Sequence, residues 1–108
     1  MFEIKKKNLI SLLGNKSVET QSSEIFNTFV TKFLLKLSSN IFKDPKFKKY
    51  PDIISYAFWI REGNLINIKK SYDINNNLYI GRGIVFHVVP SNVPTNFIYS
   101  LTFGSLSG

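Results

Sequence analysis

The chain has no cysteine and a single histidine, His87. The first absence removes disulfides, thiolate metal sites and a cysteine nucleophile from these 108 residues. The second removes a multi-histidine metal site. Acidic side chains are also scarce, seven Asp and Glu against fourteen Lys and Arg, for a net charge of +7. No long hydrophobic run occurs. A membrane span needs about 20 mostly apolar residues, and the charge-free stretch 83–108 is interrupted by Pro90, Asn92, Pro94 and Asn96. Behind Lys5–Lys7, the apolar group Leu9, Ile10, Leu12 and Leu13 is cut short by Gly14 and Asn15, too brief for a secretory signal. The expectation is a cytoplasmic protein without a membrane span.

What is present is a globular composition, 44% hydrophobic and 15% aromatic, in a length that holds at most one domain. Lysines gather at Lys5–Lys7 and again at Lys43, Lys46, Lys48 and Lys49, the second group interleaved with Phe47 and Tyr50. Basic residues beside aromatics can track phosphates while stacking bases. Neither cluster contains arginine, the side chain suited to bidentate phosphate contact, so the lysines read as solvated surface and nucleic acid is not expected as a partner. The rival reading is a small basic module that binds nucleic acid or an acidic partner.

Along the chain, residues 1–20 show no sustained period. Ile25, Phe26, Phe29, Val30, Phe33, Leu34 and Leu37 recur at intervals of three and four, which predicts an amphipathic helix over 24–39. Ser22 or Ser23 is its expected cap, with Glu24 in the first turn. Residues 43–51 form a connection with an Asp44-Pro45 turn signal. Asp52 is then the expected cap of a helix through Trp59, closed by Gly63 as a left-handed residue. Leu65, Ile66 and Ile68 begin a short element ending near Tyr72, and the asparagines 75–77 read as an exposed loop.

The run Ile84–Val89, "IVFHVV", does not alternate apolar with polar, so both its faces should be covered, as in a parallel strand of an α/β sheet. His87 interrupts it, either as a hydrogen-bonded histidine on one face or as a proton-handling group. Pro90 and Pro94 then bracket Ser91, Asn92 and Val93 before a helical apolar pattern of Phe97, Ile98 and Leu101. On that helix Ser100, Gly104 and Gly108 fall four apart, a stripe of small residues suited to close packing. A turn between strand and helix lies where open α/β sheets bind ligands. Asn92 there is either an uncharged donor for a developing oxyanion or the centre of an Asx turn bonding nearby backbone.

The run "GRGIVFHVVPSNVPTNFIYSLTFGSLSG" resembles the opening of the cofactor-binding domain in acyl-CoA reductases of the LuxC family, within the aldehyde dehydrogenase superfamily. "YPDIISYAFWIREGNLINIKKSY" is similar to the helical segment that precedes it, so the resemblance covers residues 50–108. Ser91 departs from the Pro-Trp-Asn turn common in the superfamily but fits the acyl-CoA reductase branch. The resemblance implies that Val89, Pro90, Ser91 and Asn92 line the nicotinamide end of NADPH, with NADH as the alternative. It implies that Asn92 steadies the oxyanion while a fatty acyl-CoA is reduced to aldehyde through an acyl-cysteine. It implies an α/β fold: a mainly helical segment 1–80 followed at 81–108 by the first strand-turn-helix of an incomplete dinucleotide-binding domain. With the cysteine missing, the expectation is an amino-terminal fragment of such an oxidoreductase, inactive alone.

Overall fold

The computed structural model describes residues 21–108; the Lys5–Lys7 cluster and the Leu9–Leu13 group lie outside the described residues. Four α-helices carry the architecture: α1 (Thr28–Lys43), α2 (Pro51–Trp59), α3 (Glu62–Ser71) and α4 (Asn96–Leu106), with a 3₁₀ turn at Pro45–Lys49 between the first two. No helix among the described residues is long and apolar enough to cross a membrane.

The helix starts differ from expectation, each for a local reason. Asn27, not Ser22 or Ser23, caps α1, its Oδ1 accepting from the Phe29 amide at 2.9 Å. Glu24 therefore precedes the helix instead of sitting in its first turn. The chain enters through Phe26, whose φ of 52° is left-handed. That conformation is uncommon for a bulky residue. Here it coincides with a 2.8 Å bond from the Phe26 amide to the Leu106 carbonyl and with edge-on packing of the ring on Tyr72. At α2, Pro51 occupies the first helical position, where its missing N–H is no loss, and Asp52 lies in the first turn. The helix ends at Ile60, and the Asn64 amide reaches back to the Trp59 carbonyl at 2.6 Å. Gly63 is not a left-handed cap: it lies in the first turn of α3 with open space around its Cα.

The core is the meeting place of α1, α2 and α4: Leu34, Ile41, Tyr56, Ala57, Ile60, Leu65 and Leu106 are buried together with Phe26. Two buried hydroxyls tie the helices. Ser38 Oγ donates to the Ala57 carbonyl at 2.7 Å, a contact that the small residues on α1 and α2 permit. Tyr56 Oη lies 2.7 Å from Thr102 Oγ1. Because the Thr102 hydroxyl already donates to the Ile98 carbonyl, Tyr56 is the donor in this pair.

The α/β expectation is overturned. Among the described residues no strand forms, so there is no sheet and no strand-turn-helix unit, and the molecule is all-α with one extended segment. Residues 84–89 are extended, but a strand is completed by a ladder partner, and the remaining apolar segments have been taken up as helices. The expected burial on both faces is corrected with it. Ile84, Phe86 and Val88 are 63%, 89% and 84% exposed, whereas Val85 and Val89, which alternate with them, are 38% and 37% exposed. The segment is lopsided: Val85 and His87 lie against Gly104 and Ser100 of α4, while Ile84, Phe86 and Val88 are the most exposed.

Two predictions test this arrangement by thermal denaturation. Gly63→Ala should stabilise by about 0.4–1 kcal/mol, because a helical glycine with φ below zero and free space accepts a methyl group. A destabilisation would restore Gly63 as a left-handed cap. Thr102→Val should cost about 1–3 kcal/mol by orphaning the buried Tyr56 hydroxyl, and Tyr56→Phe less. Burial pushes the Tyr56 phenol above its ordinary value, against the lowering effect of the Thr102 hydrogen bond, with nearby Tyr99 adding to the rise. The folded state thus holds this proton more tightly, and its contribution, full below the usual tyrosine range near pH 10, is lost as pH rises through the folded value. Tyr56→Phe should flatten that alkaline loss; an unchanged alkaline profile would contradict it.

Candidate functional site

Val89, Pro90, Ser91 and Asn92 follow the extended segment and project at the surface, where they run into the start of α4. The Asn96 amide bonds the Val93 carbonyl at 3.1 Å and closes the turn. Pro94 lies inside this turn and not at the first helical position, because α4 begins two residues later, at Asn96. Among the described residues the Asn92 side chain makes no hydrogen bond, so the local bond that an Asx turn requires is not formed. No side chain caps α4, and no acidic residue occupies its first turn. Within the helix itself and its cap, no side chain offsets the partial positive charge of that end.

Beside the turn an apolar groove of about 530 Å³ opens between the helices. Pro94 and Thr95 form its rim, Phe97 and Ile98 one wall, Ile41 and Ile53 the other. A second apolar groove, about 460 Å³, shares Leu37, Tyr56, Phe97 and Ile98 with it and extends between α1 and α4 past Phe33 and Leu101. Phe29, Phe33, Phe97 and Leu101 belong to the apolar faces that periodicity predicts for the first and last helices; the structure leaves all four exposed along this second groove.

His87 and Ser100 lie on different elements, and the fold brings them together: His87 Nδ1 is 2.7 Å from Ser100 Oγ. Their separation of 13 residues across a turn carries no periodic signal. The only hint in the sequence is that a lone polar residue in an apolar run must find a partner.

The lysines Lys43, Lys46, Lys48 and Lys49 gather at the end of α1 and along the 3₁₀ turn. Lys49 Nζ lies 5.2 Å from the centre of the Tyr50 ring. Phe47 is half-buried, packed against the core and lining the apolar groove beside the turn. Among the described residues, no cluster of histidine, aspartate or glutamate is placed to hold a metal ion. No family model, curated protein or solved structure matches the chain.

Proposed function

We propose that residues 1–108 carry the acyl-binding and oxyanion-stabilising part of a cytoplasmic oxidoreductase that reduces fatty acyl-CoA to aldehyde. The observation that carries the reading is the apolar groove that begins at Pro94, two residues beyond the exposed Asn92, whose amide makes no hydrogen bond among the described residues. A long acyl chain matches an apolar groove of this kind, since burying it releases about 0.8 kcal/mol per methylene. Its thioester would then lie towards the turn. The resemblance of "PSNVPTNF" to acyl-CoA reductases adds the reaction type.

In that reaction a thiolate adds to the thioester carbonyl, the carbonyl oxygen gains negative charge, and coenzyme A leaves as its thiolate. Asn92 would donate to that oxygen without a proton of its own to manage. Pro90 and Pro94 restrict the backbone around it, so little reorganisation accompanies charge development. The uncharged run Val89–Asn92 suits the neutral ring of a reduced nicotinamide, and NADPH would supply the hydride that releases the aldehyde. The cofactor's phosphates would be held by other residues. The thiolate must also come from outside these residues, which contain no cysteine.

Calorimetric titration with palmitoyl-CoA, octanoyl-CoA and free CoA tests the groove. Affinity should rise with chain length and fall at least tenfold in Phe97→Asp, with folding checked by thermal melts. Asn92→Ala should change neither affinity nor Tm, because the side chain is exposed and unbonded in the ground state. Joined to the polypeptide that provides the cysteine, the same variant should lower kcat by about 10²–10³-fold with KM nearly unchanged. Binding that ignores chain length, or survives Phe97→Asp undiminished, would contradict the groove assignment. Normal kcat in Asn92→Ala would contradict the oxyanion role.

A further inference from the structure

The segment 84–89 poses a register problem that hydrophobicity cannot solve. One face offers Ile84, Phe86 and Val88, the other Val85 and Val89. Where both faces are apolar, a slip of one residue exchanges two similar surfaces and register is weakly specified. Yet it is Val85 and His87 that lie against Gly104 and Ser100 of α4.

His87 is the residue that differs. Its Nδ1 meets Ser100 Oγ at 2.7 Å, and its ring lies over Gly104 one helical turn further on. A Cβ at position 104 would fall 2.8 Å from His87 Cε1, closer than real Cβ atoms come, and 3.0 Å from Nε2, tighter than nearly all such contacts, so the imidazole would have to move off Ser100 to admit it. Ser100 and Gly104 thus form a socket, one residue supplying the hydrogen bond and the other the space. Two of the three small residues, Ser100 and Gly104, have their explanation here, in an imidazole and not in a sheet; Gly108 lies beyond α4, at a φ of 81° and against the backbone of Ser23 and Gly81. A one-residue slip would set Phe86 or Val88 against the socket, and a two-residue slip Val85 or Val89. None of these can bond Ser100.

We infer that His87, seated on Ser100 and Gly104, is the key that fixes the register of residues 84–89 on α4 and thereby positions the Pro90–Pro94 turn. The segment is also tied at its start, where the amides of Arg82 and Gly83 bond the carbonyls of Ser107 and Gly108 at 3.1 and 2.6 Å. At its other end the turn joins it covalently to α4. Between these ends, His87–Ser100 is the side-chain hydrogen bond among the described residues that joins segment to helix. The inference goes beyond the acyl-CoA reading and does not depend on it.

A substitution cycle on the 108-residue chain separates a register key from simple packing. Gly104→Ala should lower Tm by several degrees in the native background, because the methyl group displaces the ring. His87→Asn keeps a nitrogen near the Nδ1 position but removes Cε1 and Nε2. In that background Gly104→Ala should raise Tm, since alanine is the better helix former. Nuclear Overhauser contacts between Val85 and Gly104 should persist in His87→Asn and be lost or doubled in His87→Val, where no side chain selects the register. Gly104→Ala shifting Tm in the same direction in both backgrounds would overturn the inference. So would a single native set of Val85–Gly104 contacts in His87→Val. If His87→Val does not fold, the sign of the Gly104→Ala shift in the other two backgrounds decides.

Discussion

Burying the Tyr56 ring obliges its hydroxyl to find a partner away from water, and Thr102 is the partner supplied by α4. An unmatched phenol at that depth would cost about 1–3 kcal/mol, so α4 is held in one position on α2. The ring also packs edge-on to Tyr99, 5.3 Å between centres, and Trp59 leans over Tyr99 and Phe103 at 5.2 Å each. On the far side of α2, Ala57 accepts the Ser38 hydroxyl and draws α1 close. α2 is thus bonded on both sides through buried polar contacts. Everything proposed for the surface rests on that alignment, because the apolar grooves are the spaces left between these same helices.

The position of the turn follows from it. α4 is anchored at its middle by Tyr56 and at its end by the Phe26 amide on the Leu106 carbonyl. Its start is therefore fixed, and Asn92 lies just ahead of that start. The extended segment adds a second constraint, returning along α4 from Gly83 to the turn with His87 seated midway. The chain passes from Asn92 to Pro94, where the apolar groove begins, within two residues. The exposed row of Ile84, Phe86 and Val88 is the other consequence. Among the described residues its backbone groups find no backbone partner, the kind of edge that invites association.

How far the sequence could be read depended on whether the controlling interaction was periodic. The helix at Phe29–Leu37 was legible because its apolar residues repeat, although Asn27 moved its start by about one turn: a cap is a single hydrogen bond, and Ser22, Ser23 and Asn27 are all competent to form it. Gly63 was misread because a glycine after a helix and a glycine opening the next helix look alike without φ. The β-rich run 84–89 was misread because propensity describes a segment and a sheet requires a pair. At the candidate site, the place of Asn92 between two prolines was visible, but the absence of a hydrogen bond to its side chain among the described residues was not. The His87–Ser100 and Tyr56–Thr102 pairs were hidden because each joins two elements whose relation appears only after folding.

The account stands or falls on whether a long acyl chain lies along the groove that starts at Pro94. Photocrosslinking with a palmitoyl-CoA that carries a diazirine at the end of its chain, followed by mapping of the modified residues, measures this directly. Adducts should concentrate on Phe97, Ile53 and Leu37, the apolar walls of the groove. Excess unlabelled palmitoyl-CoA should suppress them. Adducts confined to the surface around Lys43–Lys49, or spread along Ile84, Phe86 and Val88 with none in the groove, would contradict it.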